Sequence, residues 1–215
     1  LFLWLKVNFP RFENPVEQHK KLILRKKYWL FYCLTFLSGA RRQIFMVFAG
    51  FMMVEKFHYN AADIALLYIA NHLVNLYLAP KIGGWIAKIG ERKALTFEYC
   101  GLIFVFVSYA LVDDANIAAG LYIIDHAFFA MAIAIKTFFQ KIADPKDIAA
   151  SAGVSFTINH IAAVFLPVLL GLVWLYSHSL VFIIGAGIAV LSFALSFLIP
   201  QDPKQGYETI LVKRI

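Results

Sequence analysis

Six apolar stretches of about twenty residues follow one another along this chain, separated by short polar connections. Each is long enough to cross a hydrocarbon core of roughly 30 Å as a helix. They are expected at 28–54, 63–80, 94–112, 117–136, 148–175 and 180–200, with a polar tail at 201–215. Residues 1–7 (LFLWLKV) read as the last turns of an earlier apolar helix, and 8–27 as a basic linker with two prolines. Asp63 is placed at the start of the second helix. The pair Asp144-Pro145 has the form of an N-cap followed by proline at the first helical position. The segment 81–93, KIGGWIAKIGERK, is expected to be a Gly-rich basic loop. The fold class is therefore all-α: a multi-pass transmembrane helical bundle of six spans, with the lipid bilayer as its first partner.

Composition sharpens the membrane reading. The chain is 61% hydrophobic and 15% charged, where a soluble domain has roughly half and a quarter. The net charge of +7 does not imply nucleic acid as a partner, because the cations lie in alternate connections instead of on one dense face. One set holds Lys20, Lys21, Arg25, Lys26 and Lys27, then Lys81, Lys88, Arg92 and Lys93, the 136–146 connection, and Lys204, Lys213 and Arg214 in the tail. The other set has a single cation, Lys56, beside Asp63, Asp113 and Asp114. By the positive-inside bias, linker, Gly-rich loop and tail are cytoplasmic. Six spans bring both ends to that side, in a cell membrane of the bacterial inner-membrane kind. Cys33 and Cys100 sit inside apolar blocks without ligand spacing and read as small packing residues; no cofactor is expected.

An ionisable residue at bilayer depth is costly and points to function. Near the middle of the first span lie Arg41, Arg42 and Gln43, and in the second Asn71, His72 and Asn75. The fourth carries Asp125 and His126; the fifth carries Ser155, Thr157, Asn159 and His160. The third has only Glu98, read as near its cytoplasmic end, and Ser108, while the sixth has Ser192 and Ser196 and no charge. Two polar spans and one apolar span, twice over, suggest two three-helix repeats. Each would give two helices to an aqueous cavity and one to lipid, as 3+3 inverted repeats with binding at the midplane do in secondary transporters.

The segment Gly83-Gly84-Trp85-Ile86-Ala87-Lys88-Ile89-Gly90-Glu91-Arg92-Lys93 resembles the signature loop of the major facilitator superfamily, which lies between the second and third helices of a six-helix half. Gly83, Lys88, Gly90, Arg92 and Lys93 match that motif, and Ala87 stands where it has an acidic latch. With the basic linker ahead of the first span, the resemblance implies the carboxy-terminal half, spans seven to twelve, of a twelve-helix transporter. It implies pathway-lining first, second, fourth and fifth helices, and a partner in the amino-terminal half of the same protein or a dimer mate.

Arginine suits bidentate binding of an anionic solute, so Arg41 and Arg42 are read as substrate-binding or gating residues, with Gln43, Asn71, His72, Asn75, Asn159 and His160 around them. A structural ion pair with Asp125 is the competing reading for the arginines. Neighbouring residues diverge by about 100° on a helix, so one Arg is expected to face the cavity centre. Asp125 and His126 are candidates for proton coupling. His72, His126 and His160 share a depth, which leaves a transition-metal or haem-related solute as the alternative, although no metal-ligand spacing is present. The small asparagines, serines and threonine are expected to hydrogen-bond between helices. No nucleophile with a base and no paired catalytic carboxylates argue for an enzyme. A transporter by alternating access is the expected function, and a membrane sensor or assembly factor on the same fold is the competing class.

Overall fold

The structure, a computed structural model, describes residues 17, 19, 22 and 24–212. The expected stub at 1–7, most of the linker, and the tail cations Lys213 and Arg214 lie outside the described residues. Among the described residues the chain is all-α and forms six helical rods. Rod α1 joins a 3₁₀ turn (Lys26–Tyr28), an α-segment (Trp29–Ile44), a π-turn (Phe45–Ala49) and a second α-segment (Gly50–Glu55). Rods α2 (Ala61–Ile89) and α3 (Glu91–Leu111) follow. Rod α4 (Ala115–Ile142) contains a 3₁₀ turn at Ala130–Ala132. Rods α5 (Ile148–Trp174, entered through the 3₁₀ turn Pro145–Asp147) and α6 (His178–Ser196) complete the set. Five of them, α2 to α6, are long and apolar enough to cross a membrane.

Two boundaries differ from the sequence expectation in ways that matter later. The segment 81–93 is helical through Ile89, so α2 carries Pro80 and both Gly83 and Gly84 inside it. The chain breaks only at Gly90, whose φ of 85° and ψ of 158° suit a residue without a Cβ. Glycine and proline weaken a helix but do not forbid one, and the Ile, Trp, Ala and Lys around them continue the pattern. Consequently α3 begins at Glu91, three residues earlier than expected. At the start of α2 the cap is Asn60, with Asp63 as its capping-box partner: the Asn60 side chain accepts from the Asp63 N–H, and the Asn60 N–H donates to the Asp63 carboxylate at 2.9 Å. Asp144 caps the turn before α5, accepting from the Lys146 N–H, with Pro145 just inside.

The rods have two distinct ends. At the linker end Asp147 binds Arg25 at 2.7 Å and accepts from the Tyr28 hydroxyl, and buried Glu91 pairs with Lys141 at 2.8 Å. At the opposite end Lys56 pairs with Asp113 at 2.6 Å, and the Trp174 indole N–H donates to Glu55. The linker end also carries Lys26, Lys27, Lys81, Lys88, Arg92 and Lys93, so charge is segregated along the bundle axis.

Packing is specific. Rod α1 lies along α5 and also touches α6; α2 lies against α4, α3 against α4, and α3 against α6 along most of its length. Gly185 of α6 takes the Phe106 ring of α3 where a Cβ would stand, and Gly39 of α1 does the same for the Asn159 side chain of α5. Phe45 meets Tyr109 edge to face and Tyr109 meets Phe182 at a tilt, with ring centroids 4.8 and 5.1 Å apart. Half of the apolar window of α3 is buried and 39% of that of α6, against 6% for α2 and 11% for α5. The two rods expected to turn toward lipid are thus the most enclosed of the five, because each packs against the other and against neighbouring rods. Cys33 and Cys100, read as packing residues, are free and exposed on the outer surface.

Candidate solute-binding site

The midpoint of α1 sends its two arginines to opposite places. Arg41 is fully buried inside the bundle; Arg42 is exposed. The Arg41 guanidinium carbon lies 4.4 Å from the centre of the Tyr99 ring, a cation–π arrangement. Its Nη2 is 3.8 Å from Glu98 Oε1, an ion pair too long for a hydrogen bond, and its Nε donates to the Leu37 carbonyl at 3.3 Å. Asp125, from α4, is also fully buried and lies close enough to Arg41 to feel its charge.

On the open side, Arg42 of α1 and His72 of α2 are near enough to His126 of α4 to act on it electrostatically. Gln43 beside them is half-buried and His72 exposed. His126 donates from Nδ1 to the Tyr122 carbonyl at 3.0 Å, and His160 does the same to the Phe156 carbonyl at 2.9 Å. A carbonyl can only accept, so Nδ1 carries a proton in each ring. Asn159 and His160 are exposed on α5, with Asn159 wedged against Gly39.

Other residues from the sequence reading fall elsewhere. Asn71 is buried and, among the described residues, neither its amide nitrogen nor its oxygen has a hydrogen-bond partner; the Asn75 oxygen also lacks one there. Ser155 and Thr157 donate to carbonyls of their own helix, Ser151 and Gly153, instead of bridging to another. Bonding back to the preceding turn is always within reach of a helical hydroxyl, whereas a cross-helix partner must be placed by packing. Among the described residues no group of three His, Cys, Asp or Glu side chains converges as a metal site, so His72, His126 and His160 do not come together within this chain. Of the signature residues, Gly83 lies inside α2 with open space around it, Lys88 is in its last turn, Gly90 makes the break, and Arg92 and Lys93 open α3. Ala87 is exposed, and the acid used at this end is Glu91.

The residue that sequence reasoning passed over is Glu98. Taken as near a helix end, it sits seven residues inside α3, about 10 Å along the axis, once the helix starts at Glu91. The signal was the extra turn concealed in the Gly-containing segment. Neither a protein-family model nor a curated protein sequence matches the chain.

Proposed function

We propose that this chain is one six-helix half of a secondary active transporter of the major facilitator type, moving a small anionic solute by alternating access. The observation that carries the reading is Arg42: an exposed guanidinium at mid-length of a rod, acting together with His72 of α2 on His126 of α4, in a bundle whose remaining rods are long and apolar enough to span a membrane. A guanidinium held at membrane depth has little reason to face outward except toward a polar cavity or an anion.

The packing supports a 3+3 arrangement. Exchanging α1 with α4, α2 with α5 and α3 with α6 turns the α1–α5 contact into α2–α4 and the α1–α6 contact into α3–α4, while α3–α6 maps onto itself. Rods α2 and α5, which carry His72, Asn75, Asn159 and His160, are the least covered of the five membrane-length rods. They are assigned to the pathway and to the second half, or dimer mate, across it. Charge segregation supports a cytoplasmic linker end. Asp125 and His126 on α4 are the proposed proton-coupling pair.

Thermal-shift measurements on the purified full chain against anionic metabolites, cations and drugs, beside Arg42→Ala, test the reading. An anion that raises the wild-type melting temperature and leaves folded Arg42→Ala unmoved supports it. Equal response of the two proteins, or stabilisation by cations alone, sinks it.

A further inference from the structure

Arg41 is one cation facing two carboxylates. Glu98 and Asp125 are both completely buried, and among the described residues none of their four oxygens receives a hydrogen bond. They come from different rods, α3 and α4, and are near enough to interact with each other as well as with Arg41. The other titratable groups turned toward them are tyrosines and one histidine. Tyr99 and Tyr109 come from α3, the latter donating to the Ala118 carbonyl. Tyr122 comes from α4 and meets Tyr68 of α2 edge-on. His126 lies 3.9 Å from Asp125 but spends its Nδ1 proton on Tyr122 O, and Arg42 points away from the cluster.

Such a site is out of balance if both acids are ionised: one guanidinium would face two carboxylates, leaving a net negative charge enclosed by apolar packing, which is strongly disfavoured. The geometry points to Glu98 and Asp125 together holding one proton, with Arg41 as their shared counter-ion, so that the closed bundle encloses a neutral cluster. Loss of the proton breaks one carboxylic O–H bond and passes H⁺ to water. The second carboxylate so formed has no counter-ion inside the bundle, so release requires that water reach the cluster. This deepens the transport reading, on which only the coupling to opening rests, and it adds Glu98 and Arg41 to Asp125 as parts of one proton site.

Infrared difference spectroscopy on the full chain in lipid vesicles reads the bound proton directly, through the carbonyl stretch of a protonated carboxylic acid and its shift in heavy water. Wild type at neutral pH is expected to show that band, and Glu98→Gln and Asp125→Asn each to lose it, because the remaining carboxylate then pairs ionised with Arg41. These substitutions keep side-chain shape, and a circular dichroism spectrum matching wild type establishes that each variant is folded. Absence of the band in wild type, its survival in both folded variants, or its removal by sodium in place of choline overturns the proton site. A band lost in both variants without any anion-driven proton movement across the vesicles upholds the site and overturns the transport reading instead.

Discussion

Arg41 and Arg42 are adjacent in the chain and opposite in circumstance. One is sealed inside the bundle on Tyr99 with Glu98 and Asp125 for company; the other stands on the open face beside His72 and His126. The same guanidinium, rotated by one helical step, is in the first case part of the packed structure and in the second an exposed cation. In a low-dielectric interior a charge must be matched locally, so the buried region is a closed electrostatic unit. The open face is unmatched, which is the condition for taking a ligand.

That contrast is most severely tested by removing Arg41. Arg41→Met leaves two acids without a cation and is expected to cost about 3–5 kcal/mol, read as a lower midpoint of unfolding in mixed micelles. A loss comparable to that of Arg42→Met would erase the distinction between the two regions. Next comes the open face. With anion at about 100 times its dissociation constant, ligand linkage contributes about 2.7 kcal/mol, and Arg42→Ala is expected to lose that increment while keeping the ligand-free stability of wild type. Melting curves with and without anion separate the two. The seam behind the arginines gives a smaller effect: Gly39→Val drives a side chain into Asn159 and is expected to cost about 1–3 kcal/mol in the same unfolding measurement, partly recovered by adding Asn159→Ala. The smallest effect lies on the exposed end of α2. Gly83 is helical with nothing near its missing Cβ, so Gly83→Ala is expected to stabilise by about 0.4–1 kcal/mol. Were it destabilising, 81–89 would be a loop in the working protein.

Legibility in the sequence follows the range of the forces involved. The six rods were readable because twenty consecutive apolar residues leave few other structures open to them. The caps at Asp144-Pro145 and Asn60 through Asp63 are local hydrogen-bonding devices, and they lie within a few residues of where the pattern points. The divergence of Arg41 and Arg42 was also foreseeable from helix geometry alone, though not which of the two would turn inward. Glu98 was misjudged because its importance depends on where α3 starts. That start is decided at Gly90, where a positive φ ends one helix and releases the next. Residues 83–89 obscured it, being glycine-containing yet helical. Asn71 was expected to bridge helices and instead lies buried without a partner, since a cross-helix bond needs a donor delivered by another rod and periodicity says nothing of that.

By itself, then, the sequence determined an all-α chain of six apolar rods, a basic end and an acidic end, and polar groups at one depth on α1, α2, α4 and α5. Those properties are set by composition and by spacing along one helix. Only the tertiary structure decided that α3 and α6 pack together at the interior, that Arg41 joins Glu98 and Asp125 while Arg42 stays outside, and that the three histidines do not form one group. These are contacts between residues far apart along the chain. They are chosen by how side chains such as Phe106 on Gly185 and Asn159 on Gly39 fit between rods, a matter of close packing that no single helix's pattern contains.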